Sequence, residues 1–490
     1  MTDTDLRREV ALQLLDELAA GKHAASQDSH NLVDVDVIDN RLADAYLTHP
    51  ATSQSRSTAS TYGASAAHCE SMTGVNAPVV AARGRLLAYA VVIQGVARAS
   101  QLVSAAFGSA LIAHRRSAEL LATFGLALLM QTIVQTVGDW GLSAIGTQAL
   151  ARNEPGVTSG RLTRLRSTIQ VPFAALAAIA CVILWVEGRD LTAAGIAAGV
   201  AAGSVTNIAA GATSSFQVDL RLDVPSWIDI VCRLAGFGAL VPLILSGAPD
   251  WAVVTTLPAT AVADLALTMW AARRAHYSMW DTPGRGVERR LLRQATPLMT
   301  LTVCGVLYMR AASFVVLGLH GMTSFGAYSL IFRVVDVLVL IPSLPLSVIF
   351  PILVRAHATD VESYRTSCQR ANDGLIGLGV ALVLVIELAA KPLAHIIGGP
   401  YGATLLSPMR LLTLAGLAGF TNALFAQLCI IEGLQRVILR LSIGALLVNV
   451  ILAVVLVEID GLTGAAGASA ITEVGGAVLV AAVVCRRAAL

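Results

Sequence analysis

The sequence predicts an all-α polytopic membrane protein of about twelve transmembrane helices in two six-helix lobes. Three observations predict it. Long apolar stretches follow one another from about Arg85 to Arg487, and a run of about 20 apolar residues is enough to cross a bilayer as a helix. The 490 residues are 56% hydrophobic and 13% charged, against about 25% charged in soluble domains. Finally, the segment from Phe124-Gly125 to Arg152 has a counterpart from Phe325-Gly326 to Arg355, at offsets of 201 and 203 residues. Six spans per repeat is an even number, so the halves share one orientation. They are then related by an axis along the membrane normal, with a cavity between them.

The elements follow in order. Residues 1–82 carry 5 basic and 11 acidic side chains. They are expected to form a cytoplasmic, largely disordered tail: two short helical patterns (residues 5–20 and 32–47), then a Ser/Thr/Ala-rich linker from Pro50 to about Gly74. Met72 offers an alternative start. The first 80 residues lack the apolar core of a secretory signal. Spans are expected at about 85–112, 118–150, 167–187, 191–215, 225–246, 251–272, 293–319, 324–354, 371–390, 404–430, 438–457 and 463–485. The N-terminal lobe with its linker is thus 83–290 and the C-terminal lobe 291–490. Pro342, Pro345 and Pro351 are expected to kink the eighth span.

Orientation follows from basic residues, which concentrate in cytoplasmic loops. Loops after even-numbered spans hold Arg152, Arg161, Arg164 and Arg166, then Arg273, Arg274, Arg285, Arg289, Arg290 and Arg293, then Arg355, Arg365 and Arg370. The opposite side has Arg115, Arg116, Arg189, Lys391 and Arg410. Both termini are therefore expected in the cytoplasm.

Charges inside apolar spans are costly and need a structural or functional reason. Judged by depth from the cytoplasmic ends, Arg98 matches Asp139, Arg233 matches Asp264, and Arg310 matches Asp336, with Arg333 three residues before it. One reading is neutralisation of each acid by the arginine of its hairpin neighbour. The other is that Arg98, Arg310 and Arg333 face a wet cavity and bind an anion, since an arginine fork suits phosphate oxygens. Asp139, Asp264, Asp336 and Glu473 are candidates for ion pairing or coupling. Glu473, with no base at its level on the neighbouring span, suits a proton carrier or a cap on polar neighbours such as Thr472 or Asn449.

Other chemistries find little here. The seven cysteines are dispersed without a C-x-x-C pair, and the nine histidines show no metal spacing, so no metal or cofactor is expected. There is no Walker A sequence, and no Ser/His/Asp set lies on one side of the membrane. An enzyme is not expected, nor is a nucleic-acid partner.

Three segments carry a family resemblance. GDWGLSAIGTQALAR (138–152) resembles the end of the second helix in bacterial polysaccharide-repeat flippases. LYMRAASFVVLGLHGMTSFGAYSLIFRVVDVLVLIPSLPLSVIFPILVRA (307–356) resembles their seventh-to-eighth hairpin, and GLTGAAGASAITE (461–473) the start of their last helix. This is the multidrug/oligosaccharidyl-lipid/polysaccharide exporter superfamily, with the MATE-like fold, and the resemblance covers about residues 83–487. It implies a flippase of the bacterial cytoplasmic membrane that translocates a polyprenyl-diphosphate-linked oligosaccharide by alternating access. Glycosyltransferases or a polymerase of the same pathway would be its partners. Ala312 stands where many members have an acid two residues after the seventh-helix arginine, so coupling through that acid would have to differ here. The two further helices usual in lipid II flippases are not found. Rival readings are a drug or cation exporter of the same fold, and a non-transporting scaffold for glycan synthesis.

Overall fold

The computed structural model describes residues 77–219, 221–282, 284–359 and 361–487. The expected tail helices, the linker through Gly74 and Met72 lie outside them. All regular structure among the described residues is helical. Among the described residues, ten apolar helical stretches are long enough to cross a membrane. Two of them are double. Residues 286–350 contain Gly321 in a non-helical conformation, and residues 435–486 contain Asp460 and Gly461 likewise. Dividing these gives the twelve spans the hydropathy pattern requires.

In the first half, α1 (Ala77–Arg115), α2 (Ala118–Asp139), α3 (Leu142–Ala151), α4 (Ser159–Val186), α5 (Asp190–Val218), α6 (Asp223–Leu245), α7 (Asp250–Val254) and α8 (Thr256–Arg274) follow in order. The Ala- and Gly-rich α5 is the hub, packing on α4, α2 and α8. Small residues let backbones approach closely where lipid offers no hydrophobic drive between helices. In the second half, α9 (Arg285–Thr359), α10 (Val361–Leu388), α11 (Ala390–Gly398), α12 (Gly402–Ile431) and α13 (Gln435–Arg487) pack chiefly through α9, α12 and α13.

One departure from the expected elements has a local cause, and one expected turn is set by a glycine. Span 2 is broken at Trp140-Gly141, both left-handed (φ 52° and 72°), so α2 and α3 are separate helices. In span 8 the backbone stays helical through Pro342, Pro345 and Pro351, and the reversal in α9 falls at Gly321 (φ 75°). Glycine carries that conformation without a Cβ clash.

The two halves meet mainly where α2 crosses α9. The repeated Phe-Gly pairs sit there. A Cβ on Gly125 would lie 2.5 Å from Ser329 Oγ, and one on Gly326 would lie 3.0 Å from the Ala122 backbone. Phe124 and Phe325 are buried beside them. At its other end α2 leads into α3, which rests on the start of α9. Trp140 Nε1 donates to Thr296 Oγ1 at 3.4 Å, and Gly141 lies against the Ala295 carbonyl. Leu291 joins Leu142, Leu162 and Leu165 in one cluster, and Arg290 pairs with Glu154 at 2.8 Å. The expected division between residues 290 and 291 thus falls inside α9, whose first turns pack on the first half.

The connection from α8 to α9 is held on the first half too. Thr158 caps α4 and also donates to Asp281, as does Ser278 at 2.6 Å. These hydrogen bonds, with Arg161 nearby, hold the Asp281 carboxyl below the usual carboxylate range. Tyr277 donates to Asp219; burial, then that carboxylate, pushes its hydroxyl pKa up.

Candidate functional site

Charged side chains inside the helical bundle, buried or half-buried, collect in three places, each with a different balance. The first lies beside the break in span 2. Arg166, fully buried on α4, places Nη1 2.8 Å from Asp139 and Nη2 3.0 Å from Ser143 Oγ. Asn207 and Gln170 donate to the carbonyls of Val134 and Gly138 just before the break, at 2.9 and 3.1 Å. Gln170 of α4 therefore satisfies a last-turn carbonyl that the broken helix leaves unpaired, as membrane depth requires, and Asn207 of α5 adds a second hydrogen bond at Val134 one turn earlier. This corrects the expected Arg98–Asp139 pair. The two residues match in depth, but α2 turns Asp139 toward α4, and α1 makes little contact with α2. Arg166, expected in a basic loop, is the true partner. Its spacing of four from Gln170 was the available signal for a polar stripe inside a span.

The second place lies between the halves. Arg310 and Arg333, both on α9, line a small pocket with Thr132 and Gly125 of α2 and with Ser313 and Ser329. Arg310 is 2.8 Å from Asp336, as expected, and Arg333 is 3.4 Å from the same carboxylate. The Arg310 guanidinium also lies over the Phe332 ring, 4.5 Å from its centroid. Arg333 Nε is buried without an acceptor. The hydroxyls of Thr132 and Ser329 are satisfied by carbonyls of their own helices. Two cations share one anion, and a donor is left over.

The third place is inside the first half. Asp229 and Arg233 of α6 and Asp264 of α8 line a pocket with Gln131, Thr206, Cys232 and Thr260. The expected Arg233–Asp264 pair is also corrected. Arg233 Nε lies 2.8 Å from Asp229, one turn back on its own helix. An i,i+4 partner is in reach whatever the helix rotation. Asp264 makes no ion pair among the described residues. Here two anions share one cation.

Arg98 lines neither pocket and is exposed on α1. Glu473 of α13 has no base against it. It accepts hydrogen bonds from Tyr308 of α9 at 2.7 Å and Asn422 of α12 at 3.3 Å, while Asn449 reaches the Tyr308 carbonyl. Among the described residues, no group of three or more His, Cys, Asp or Glu is placed to hold a metal.

The architecture is that of a multi-pass helical membrane protein with two membrane-embedded halves meeting across a charged pocket. Solved structures share its fold. A MOP superfamily transporter from Pyrococcus furiosus, described as having a binding pocket of reverse polarity, aligns at TM-score 0.59 and 15% identity, over 82% of this chain and 95% of its own. A multidrug resistance MATE family transporter of the MOP superfamily aligns in an inward-facing conformation at TM-score 0.57 and 14% identity, over 81% and 98%. An outward-facing one aligns at 0.57 and 16%, over 82% and 95%. The chain therefore has the fold of the MOP superfamily transporters. No protein-family model and no curated protein matches the sequence.

Proposed function

We propose that the protein is a transporter working by alternating access, and that its cargo is a polyprenyl-diphosphate-linked oligosaccharide. The observation that carries the cargo reading is the surplus of positive charge between the halves: Arg310 and Arg333 against Asp336 alone. A diphosphate supplies the missing anion, and guanidinium forks bind its oxygens in pairs. The lipid tail stays in the bilayer while the head group passes between the halves. The basic end of the bundle, with Arg273, Arg274, Arg289 and Arg293, faces the cytoplasm of a bacterium. Asp264 with Asp229, or Glu473 with Tyr308, supplies a cation or proton site for coupling. Glycan-synthesis enzymes would deliver and receive the cargo.

A drug or cation exporter is the second reading, favoured by the acidic pocket of Asp229 and Asp264. On this fold, pocket polarity has already been linked to a different function for the Pyrococcus furiosus transporter.

Binding of a short-chain polyprenyl diphosphate to the purified protein tests the choice. Arg310→Ala and Arg333→Ala should each weaken it about 10- to 100-fold, as loss of a charge-assisted hydrogen bond of about 1.5–3 kcal/mol predicts. Arg→Lys should be impaired less. If Asp336→Asn restores transport in both Ala backgrounds, the arginines only balance Asp336 and the cargo reading fails.

A further inference from the structure

We infer that Gln94, Arg98 and Gln101 form a strip on α1 that binds the hydroxyl groups of a saccharide in the cleft between the halves. The inference rests on the reading of the protein as a carrier of a glycan-bearing lipid diphosphate.

The strip is set by the rotation of α1. Successive helix residues are about 100° apart. Val92, Val96, Val103 and Phe107 are exposed and apolar, and they share one face of α1, the face suited to lipid. Ile93 and Ala97 pack on Ile230 of α6, and Gly108 lies against Leu240 of the same helix. Gly95 lies against Leu344 of α9. Gln94, Arg98 and Gln101 fill the arc between the α6 contact and the α9 contact, roughly 180° from the lipid face by the same helical arithmetic. Arg98 is exposed there and both glutamines are half-buried. None of the three makes an ion pair or hydrogen bond among the described residues. Polar side chains that open onto space, flanked by helix contacts and turned away from lipid, line a wet cleft. Amides and a guanidinium in hydrocarbon would carry an unmet desolvation cost.

The chemistry of the strip points to its ligand. A glutamine amide offers two donors and one acceptor site of two lone pairs. That suits adjacent sugar hydroxyls, which donate and accept, better than it suits phosphate, which only accepts when fully ionised. The two amides add no charge, and the guanidinium N–H groups of Arg98 between them can donate to hydroxyl oxygens as well. The cargo is thus divided between a cationic pocket on α9 and an amide strip on α1.

Two measurements on the full-length protein test this. In a background with the native cysteines replaced by alanine, Gln94→Cys and Gln101→Cys should react with a membrane-impermeant thiol reagent. Val96→Cys and Val103→Cys should not. Equal protection at all four positions overturns the inference whatever the cargo is. The second measurement compares a bare polyprenyl diphosphate with the same lipid bearing a set of neutral mono- and disaccharides. A Gln94→Leu, Gln101→Leu double variant should weaken saccharide-bearing lipid about 10-fold, as loss of two ordinary hydrogen bonds predicts, and leave the bare lipid unchanged. The strip is refuted if both lipids weaken equally, or if the unaltered protein binds no glycosylated lipid better than the bare one. If it binds neither lipid while the thiols react, the carrier reading falls and takes the ligand assignment with it.

Discussion

The pocket of Arg310, Arg333 and Asp336 and the pocket of Asp229, Arg233 and Asp264 are near mirror images in charge. Each holds three charged groups, and each contains an arginine close to an acid on its own helix. They differ in balance and in place. The first has a surplus cation and lies between the halves, lined by α2 and α9. The second has a surplus anion and lies within one half, among α2, α5, α6 and α8. Under the proposed function, the site between the halves takes the anionic head group, and the site inside one half takes a small cation or a proton. The third cluster, Asp139 with Arg166, is balanced and serves as the control: its charges cancel, and although Arg166 Nε, like Arg333 Nε, has no acceptor, it has no charge left over.

The largest expected effect belongs to that control. Asp139→Ala strands a fully buried arginine, and removing one partner of a buried pair costs about 3–5 kcal/mol. Thermal unfolding in detergent should show a severe loss, whereas Asp336→Ala, whose arginines are partly open to the pocket, should lose less. Comparable losses would erase the distinction between structural and binding charges.

Next comes the acidic pocket. Asp229→Asn with Asp264→Asn should cut gradient-driven transport in vesicles by about 10-fold or more, the size of an ordinary coupling free energy. Equilibrium binding of a polyprenyl diphosphate should be unchanged. Impaired binding with intact gradient response would reverse the roles assigned to the two pockets.

The crossing of α2 and α9 frames the cationic pocket and gives a smaller effect. Gly326→Leu drives a side chain into the Ala122 backbone, and overpacking of this kind costs about 1–3 kcal/mol. A drop in thermal stability together with faster labelling of a cysteine placed at Ser329 would report the halves forced apart. An unchanged melting curve would mean that the crossing is not tightly packed.

The smallest effect concerns Asp281, which ties the linker to α4. Its folded pKa is depressed by Ser278, Thr158 and Arg161. The tie is therefore complete above the unfolded carboxylate value of about 3.9 and is lost as pH falls through the lower folded value. Proteolysis of the 275–284 segment should accelerate only in that acid range, and Asp281→Asn should make it faster at neutral pH. Acceleration already at pH 6 would assign the tie to another group.

Much of this was legible beforehand. Hydropathy located all twelve spans, including those within the two double helices. The repeated Phe-Gly pairs were readable as an internal repeat, while their place at the crossing of the two halves came only from the structure. Arg310 with Asp336 was readable because the hairpin places their helices side by side and at one depth. Arg98 with Asp139, and Arg233 with Asp264, failed for the same physical reason. Depth counts residues along a span, while pairing depends on which way each helix is turned and which helix is its neighbour. Asp229 was missed although it lies four residues before Arg233, a spacing that always permits contact on one helix. The break at Trp140-Gly141 had only Gly138 and Gly141 as a warning.

By itself, then, the sequence determined the solvent of this protein, the order of its spans, and the position of each charge along its span. These follow from one-dimensional quantities: apolar run length, loop charge and residue count. Only the tertiary structure decided that Arg166 neutralises Asp139, that Arg233 serves Asp229, and that two arginines share Asp336 in a pocket between the halves. Those outcomes depend on helix rotation and neighbour choice. Both are fixed by close packing of small residues such as Gly125 and Gly326 against side chains and backbone far away in the chain.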